Sequence, residues 1–99
     1  MSYRVRYTRA ARDDLQQLFA RLAKLDFQAA KRARAKIAGG TDILKEFPFS
    51  CRKASADSPL LRELLVSFGG SGYVMLFEID DASTVTILAV RHQRQDDYY

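Results

Sequence analysis

The sequence predicts an α+β fold: an N-terminal strand, an antiparallel helical hairpin, then a three-stranded antiparallel meander, forming one sheet packed on the helices. Three observations carry this expectation. Residues 60–92 concentrate β-branched and aromatic side chains between glycine and aspartate punctuation, a pattern that suits pleated strands joined by tight turns. Residues 9–24 repeat apolar side chains at three- and four-residue spacing, the period of a helix that buries one face. Tyr3-Arg4-Val5-Arg6-Tyr7 alternates apolar with basic, so its two aromatics and Val5 share one side of a half-buried strand.

In the meander, the strands are Arg62-Glu63-Leu64-Leu65-Val66-Ser67-Phe68, Tyr73-Val74-Met75-Leu76-Phe77-Glu78-Ile79 and Thr84-Val85-Thr86-Ile87-Leu88-Ala89-Val90, with turns at 69–72 and 80–83. Arg4 and Arg6 are read as solvated charges of the kind that discourage edge-to-edge pairing. Thr8 is the expected N-cap of the first helix, whose apolar stripe is Ala11, Leu15, Leu18, Phe19, Leu22 and Leu25. Asp13 and Asp14 suit the positive end of its dipole. Asp26 is expected to cap a second helix with Phe27, Ala30, Ala33, Ile37 and Ala38 on a small-residue stripe, which permits close approach to the first.

Gly39-Gly40 predicts a kink or a short separate turn, because each glycine costs about 1 kcal/mol relative to alanine in a helix interior. Thr41 or Asp42 is then the expected cap of a short restart that Pro48 ends. Residues 49–59 have no sustained period and many turn formers, and read as a mobile crossing loop.

At 99 residues the chain is expected to form one domain, 1–99, too short for a deep interdomain cleft. It has no apolar run near membrane-spanning length and no basic-then-apolar leader, which predicts a cytoplasmic protein with no membrane partner. The single cysteine, Cys51, has no internal disulfide partner and no Cys or His companions for zinc. It is read as a free thiol, and no metal or cofactor is expected. The net charge of +4 divides unevenly: residues 1–50 carry +6 and residues 51–99 carry −2. The basic half is the helical half, and Lys31, Arg32, Arg34 and Lys36 give the second helix a basic surface that is either solvated or a binding face. The remaining concentration of hydrogen-bonding and stacking side chains is the tail, Arg91-His92-Gln93-Arg94-Gln95-Asp96-Asp97-Tyr98-Tyr99.

The element order, together with Tyr7-Thr8-Arg9-Ala10-Ala11, Asp14-Leu15, Phe47-Pro48, Leu61-Arg62-Glu63-Leu64, Gly72-Tyr73, Phe77-Glu78-Ile79 and Ile87-Leu88-Ala89-Val90-Arg91-His92, resembles the RelE/ParE superfamily of toxins from bacterial toxin–antitoxin pairs. The resemblance spans nearly the whole chain and rests on the order and spacing of these short motifs. It implies a toxin neutralised by a cognate, ParD-like antitoxin in a hetero-oligomer, with operator DNA met only through that complex.

The superfamily implies two activities. Ribosome-dependent mRNA endonucleases of the RelE kind need several Lys/Arg, or a His with a carboxylate, converging on one concave sheet face, to activate a ribose hydroxyl and neutralise charge at phosphorus. Here Val74 follows the Gly-Tyr pair where that pattern has an arginine, Gln93 falls where another arginine is expected, and Leu64 replaces a lysine. A nuclease would have to be built from Arg62, Arg91, His92, Arg94 and Tyr99. The pattern is closer to the ParE branch, which inhibits DNA gyrase by binding. On that resemblance the target-binding residues are Lys31, Arg32, Arg34 and Lys36 of the helical hairpin, or Arg91, His92, Arg94 and Tyr99 of the tail. The sequence leaves both open. A lone histidine at a strand end is itself read first as satisfying a local hydrogen bond.

Overall fold

The computed structural model describes residues 2–93. Strand β1 (Arg4–Tyr7) leads into helices α1 (Arg9–Leu25) and α2 (Phe27–Glu46); a 3-10 turn at Pro48–Ser50 then passes to β2 (Arg52–Ser55), β3 (Ser58–Phe68), β4 (Ser71–Ile79) and β5 (Thr84–His92). The strands form one five-stranded sheet in the order β1-β5-β4-β3-β2. β1 runs parallel to β5, and the other neighbours are antiparallel. The α+β fold with helices against one sheet is the one the sequence predicts.

Local chemistry sets the hairpin. Thr8 caps α1 by accepting a hydrogen bond from the Ala11 amide at 3.1 Å. Asp26 alone separates the helices. Its amide closes α1 on the Leu22 carbonyl at 2.7 Å, while its carboxylate accepts from the Gln28 and Ala29 amides of α2 at 3.0 and 3.3 Å. One extended residue therefore ends one helix and starts the next, which folds them back as antiparallel neighbours.

Three local expectations are corrected. α2 does not break at Gly39-Gly40 but continues to Glu46. Its buried stripe is Ala30, Ala33, Ile37, Gly40 and Leu44, so Gly40 occupies a contact position rather than a break. A β-carbon there would stand 3.1 Å from both Leu64 Cδ2 and Val66 Cγ2. The absent side chain lets the helix lie close over β3, and that packing offsets the propensity cost. Thr41 consequently caps nothing; its hydroxyl donates to the Ile37 carbonyl at 3.2 Å and bonds the Tyr7 hydroxyl at 2.7 Å. Phe27 and Ala38 lie outside the stripe and are exposed. Residues 52–55, expected in a loop, pair with β3 and extend the meander by a strand.

The core is the face of the sheet under the helices. Val66, Tyr73, Met75, Phe77, Ile79, Val85, Ile87 and Val90 meet Ala11, Ala33, Ile37 and Leu44 there, with Tyr3, Val5 and Tyr7 packed at the side. Arg4 and Arg6 are exposed, as the alternating pattern requires.

Candidate functional site

Strand register decides where the candidate side chains go. Arg91 is opposite Val74 and His92 opposite Tyr73, and successive residues of a strand face opposite sides. Tyr73 belongs to the helix-covered core. His92 therefore lies on the helix side, and Arg91 is based on the other.

His92 closes a row of rings. The Phe68 and Tyr73 rings stack with centroids 5.8 Å apart, and the His92 imidazole meets Tyr73 edge-on, also at 5.8 Å. Its Nε2 is 3.1 Å from the Ser71 hydroxyl, the local hydrogen bond expected of a strand-end histidine. Burial pushes the Tyr73 hydroxyl above its ordinary pKa, so it stays protonated at neutral pH.

These residues form the floor of a groove of about 480 Å³ between α1, the Gly69-Gly70 turn and the end of β5. α1 contributes Gln17, Leu18, Arg21 and Leu22 to its wall. Gln17 and Arg21 are lining residues that sequence reasoning missed, because on the periodicity they are merely two more polar residues of an amphipathic helix. Asp14 also borders the groove, but its carboxylate accepts the Val90 amide at 2.9 Å. β5 carries an extra residue at this point, since Leu76 pairs with Ala89 and Phe77 with Ile87. The carboxylate satisfies an edge amide beside the bulge, which is a structural role.

Arg62 is elsewhere. It pairs with Phe77, and its guanidinium donates to three carbonyls: Pro59 at 2.8 Å, Phe49 at 3.1 Å and Cys51 at 2.7 Å. It also lies 5.2 Å from the Phe49 ring centroid. Arg62 and the Val66–Tyr73–His92 row are four positions apart along β3, roughly 13 Å at strand rise. Arg62, Arg91 and His92 are thus not brought together. Arg94 and Tyr99 lie outside the described residues.

The face of the sheet away from the helices carries Glu63, Leu65, Val74, Leu76, Glu78 and Ala89 through the alternation of β3, β4 and β5. Glu63 holds Arg52 at 3.0 Å. The centre of this surface is apolar, and its arginines, Arg91 opposite Val74 and Arg52 opposite Glu63, stand on strands separated by β4 and β3.

The basic residues of α2 are exposed but do not share one direction. Arg34 leans toward α1, its guanidinium 4.4 Å from the Phe19 ring centroid. Lys31 stands 5.9 Å over Phe27, and Arg32 is 4.0 Å from Asp26. Lys36 borders a second groove, between α2 and β3.

A helical hairpin laid on a five-stranded sheet, with β1 parallel to β5, defines a small α+β domain. The family model for the ParE toxin of the type II toxin–antitoxin system parDE matches residues 5–97. The chain belongs to this family. Its fold is similar to a solved structure described as the chromosomal ParDE TA system from P. aeruginosa, with TM-score 0.69 and 16% identity over 92% of this chain and 96% of that one. Comparison with curated proteins gives no match.

Proposed function

We propose that this ParE-family toxin acts by binding and inhibiting DNA gyrase, is neutralised by a cognate antitoxin, and does not cut RNA. The observation that supports this reading most is the composition of the central sheet face. Phosphoryl transfer without a metal needs cations aimed at one phosphate, whereas Val74 and Leu76 hold the centre of this face, its two arginines, Arg91 and Arg52, lie on strands separated by β4 and β3 with Arg52 held by Glu63, and Arg62 is spent on backbone carbonyls.

The groove beside His92 is the better candidate for target contact than the basic helix. It is concave and combines apolar walls with a few hydrogen-bonding groups, the usual make-up of a recognition site. Arg34, Lys31 and Arg32 of α2 are engaged with neighbouring rings or a carboxylate and point around an arc.

Purified chain in a gyrase supercoiling assay, run beside an mRNA-cleavage assay on translating ribosomes, tests the proposal. Loss of supercoiling with trapped cleaved DNA, removed by the antitoxin and weakened by Arg21→Glu or His92→Ala, is expected. Undisturbed supercoiling with rapid mRNA loss would reject it in favour of the endonuclease.

A further inference from the structure

Much of the positive charge of residues 1–50 gathers on a side of the molecule that the groove beside His92 does not use. Strand β1 and the start of α1 border a shallow concavity of about 470 Å³ lined by Arg4, Val5, Arg6, Tyr7 and Arg12. Beyond Arg12 a second concavity, of about 520 Å³, passes Gln16 and Phe19 of α1 and ends at Arg34 of α2. The two meet at Arg12. Alternation puts Arg4 and Arg6 on one side of β1, roughly 6.6 Å apart. Arg12, Gln16 and Phe19 then follow one face of α1 for roughly 10 Å. Arg34, which leans off α2 onto the Phe19 ring, closes the row. Four arginines thus border one continuous track.

All four are exposed. The ion pairs among the described residues engage Arg32, Lys45 and Arg52 and none of these four. Among the described residues no carboxylate lines either concavity, so the charge of the track is not neutralised from within the chain. The track is also poor in apolar anchors. The large apolar side chains most open to solvent, such as Phe27, Phe47 and Leu65, stand elsewhere, and Phe19 lies under the Arg34 guanidinium.

We infer that this track binds the phosphate backbone of duplex DNA without reading its sequence, and so holds the toxin to the DNA that its target carries. The choice of DNA rests on the gyrase reading above; the phosphate site does not. Guanidinium groups present planar forks of donors that fit phosphate oxygens, and unpaired arginines in a row suit a regular polyanion. A protein partner would call for apolar or aromatic anchors at the centre of its interface, and a membrane surface for apolar side chains inserted beside the cations. The track supplies neither, whereas interfaces with DNA are polar and strongly positive. An added peptide strand is disfavoured in turn. Two arginines on a four-residue edge strand oppose pairing, and the track continues past β1 over helix surface that offers no free backbone to pair.

Fluorescence anisotropy of the purified chain with short labelled duplexes tests the site without gyrase. AT-rich and GC-rich DNA should bind within about twofold of each other, and log Kd should rise with log salt at a slope of roughly 3 to 4. Arg4→Gln, Arg6→Gln, Arg12→Gln and Arg34→Gln should each weaken binding about threefold and lower that slope by about one, and the four together should weaken it about thirtyfold or more. Lys53→Gln, on the opposite edge of the sheet, should leave it within about twofold. Circular dichroism melts establish that each variant is folded. No binding to DNA at low salt, or equal loss in Lys53→Gln, overturns the site. An RNA duplex or polyglutamate bound more tightly than DNA overturns the choice of partner. If the unaltered chain leaves supercoiling undisturbed while DNA binding follows the four arginines, the gyrase reading falls and the phosphate site stands. Where the chain does inhibit gyrase, the quadruple variant should need about tenfold more protein for the same inhibition; unchanged inhibition overturns the role of the track in the target complex.

Discussion

Adjacent glycines with opposite surroundings give the sharpest residue-scale test of this fold. A β-carbon on Gly39 enters open space, while one on Gly40 meets Leu64 and Val66 at 3.1 Å. Gly39→Ala is therefore expected to stabilise the protein by about 1 kcal/mol through helix propensity alone. Gly40→Ala should gain much less, because the two β3 side chains must give way, and Gly40→Val should lose about 2 kcal/mol by overpacking. Urea unfolding monitored by circular dichroism measures all three; equal gains for the two alanine variants would contradict the close approach of α2 to β3. Cys51 supplies a second residue-scale prediction. The thiol is 8% exposed, and burial pushes its pKa up, with the Ser50 hydrogen bond and the Arg62 charge drawing it back in part. A folded-state pKa above the unfolded one means the native state favours the neutral thiol. Its contribution is thus fully present below the ordinary thiol pKa and is lost as pH rises through the folded value. Labelling by a thiol reagent at mildly alkaline pH should track unfolding, and Cys51→Ser should flatten the alkaline limb of the stability curve. Rapid labelling of native protein would show that the thiol is accessible.

At the scale of elements, the clamp around Arg62 explains why residues 48–59 are ordered as a 3-10 turn and a strand. Its planar guanidinium reaches the carbonyls of Phe49, Cys51 and Pro59 together, a geometry a single ammonium does not reproduce. Arg62→Ala should cost about 1.5 kcal/mol, at the low end for charge-assisted hydrogen bonds because the site is partly solvated. Arg62→Lys should recover less than half. Amide exchange in β2 should accelerate in both variants while exchange in β4 changes only with global stability; uniform acceleration throughout the sheet would deny a local clamp. This element also shows what the sequence could and could not disclose. Strands β3, β4 and β5 and the helical hairpin were legible because apolar spacing and capping residues act locally at Thr8, Asp26 and the Gly69-Gly70 turn. β2 was not, since Arg-Lys-Ala-Ser has no period and is held as a strand by β3 and Arg62. The continuity of α2 was hidden for the same reason: glycine propensity is local, and the contact that overrides it comes from a strand more than twenty positions away. In the candidate groove, His92 was legible as a strand-end side chain with a local partner, whereas Gln17 and Arg21 acquire meaning only when α1 is laid beside β5.

For the whole molecule, the parallel pairing of β1 with β5 joins the beginning of the described chain to its end and encloses the core between them. Val5 pairs with Val85 and Tyr7 with Ile87, the Arg4 amide bonds the Ser83 carbonyl at 2.8 Å, and the Thr8 amide bonds that of Ile87 at 3.0 Å. Where β1 ends, α1 takes over the same edge: Thr8 donates its hydroxyl to Leu88 at 3.2 Å and Asp14 accepts from Val90. β5 is thus covered first by a strand and then by the start of a helix, and its apolar residues Val85 and Ile87 are fully buried. Deleting residues 1–7 would expose this edge, remove Tyr3, Val5 and Tyr7 from the side of the core, and strand the Tyr7 partner Thr41 inside α2. Half-burial of three such side chains and loss of the strand ladder together amount to roughly 5 kcal/mol, comparable to the whole stability of a small domain. The truncated chain is therefore expected to lose cooperative thermal unfolding and to expose apolar surface to a hydrophobic dye. By contrast, Asp14→Ala, which leaves only the Val90 amide unsatisfied, should cost about 1–2 kcal/mol and keep a single sharp transition. A truncated chain that still melted sharply within a few degrees of the intact protein would mean that β4 and β5 with the helices form the cooperative unit alone, and that β1 is an accessory to the fold rather than its closure.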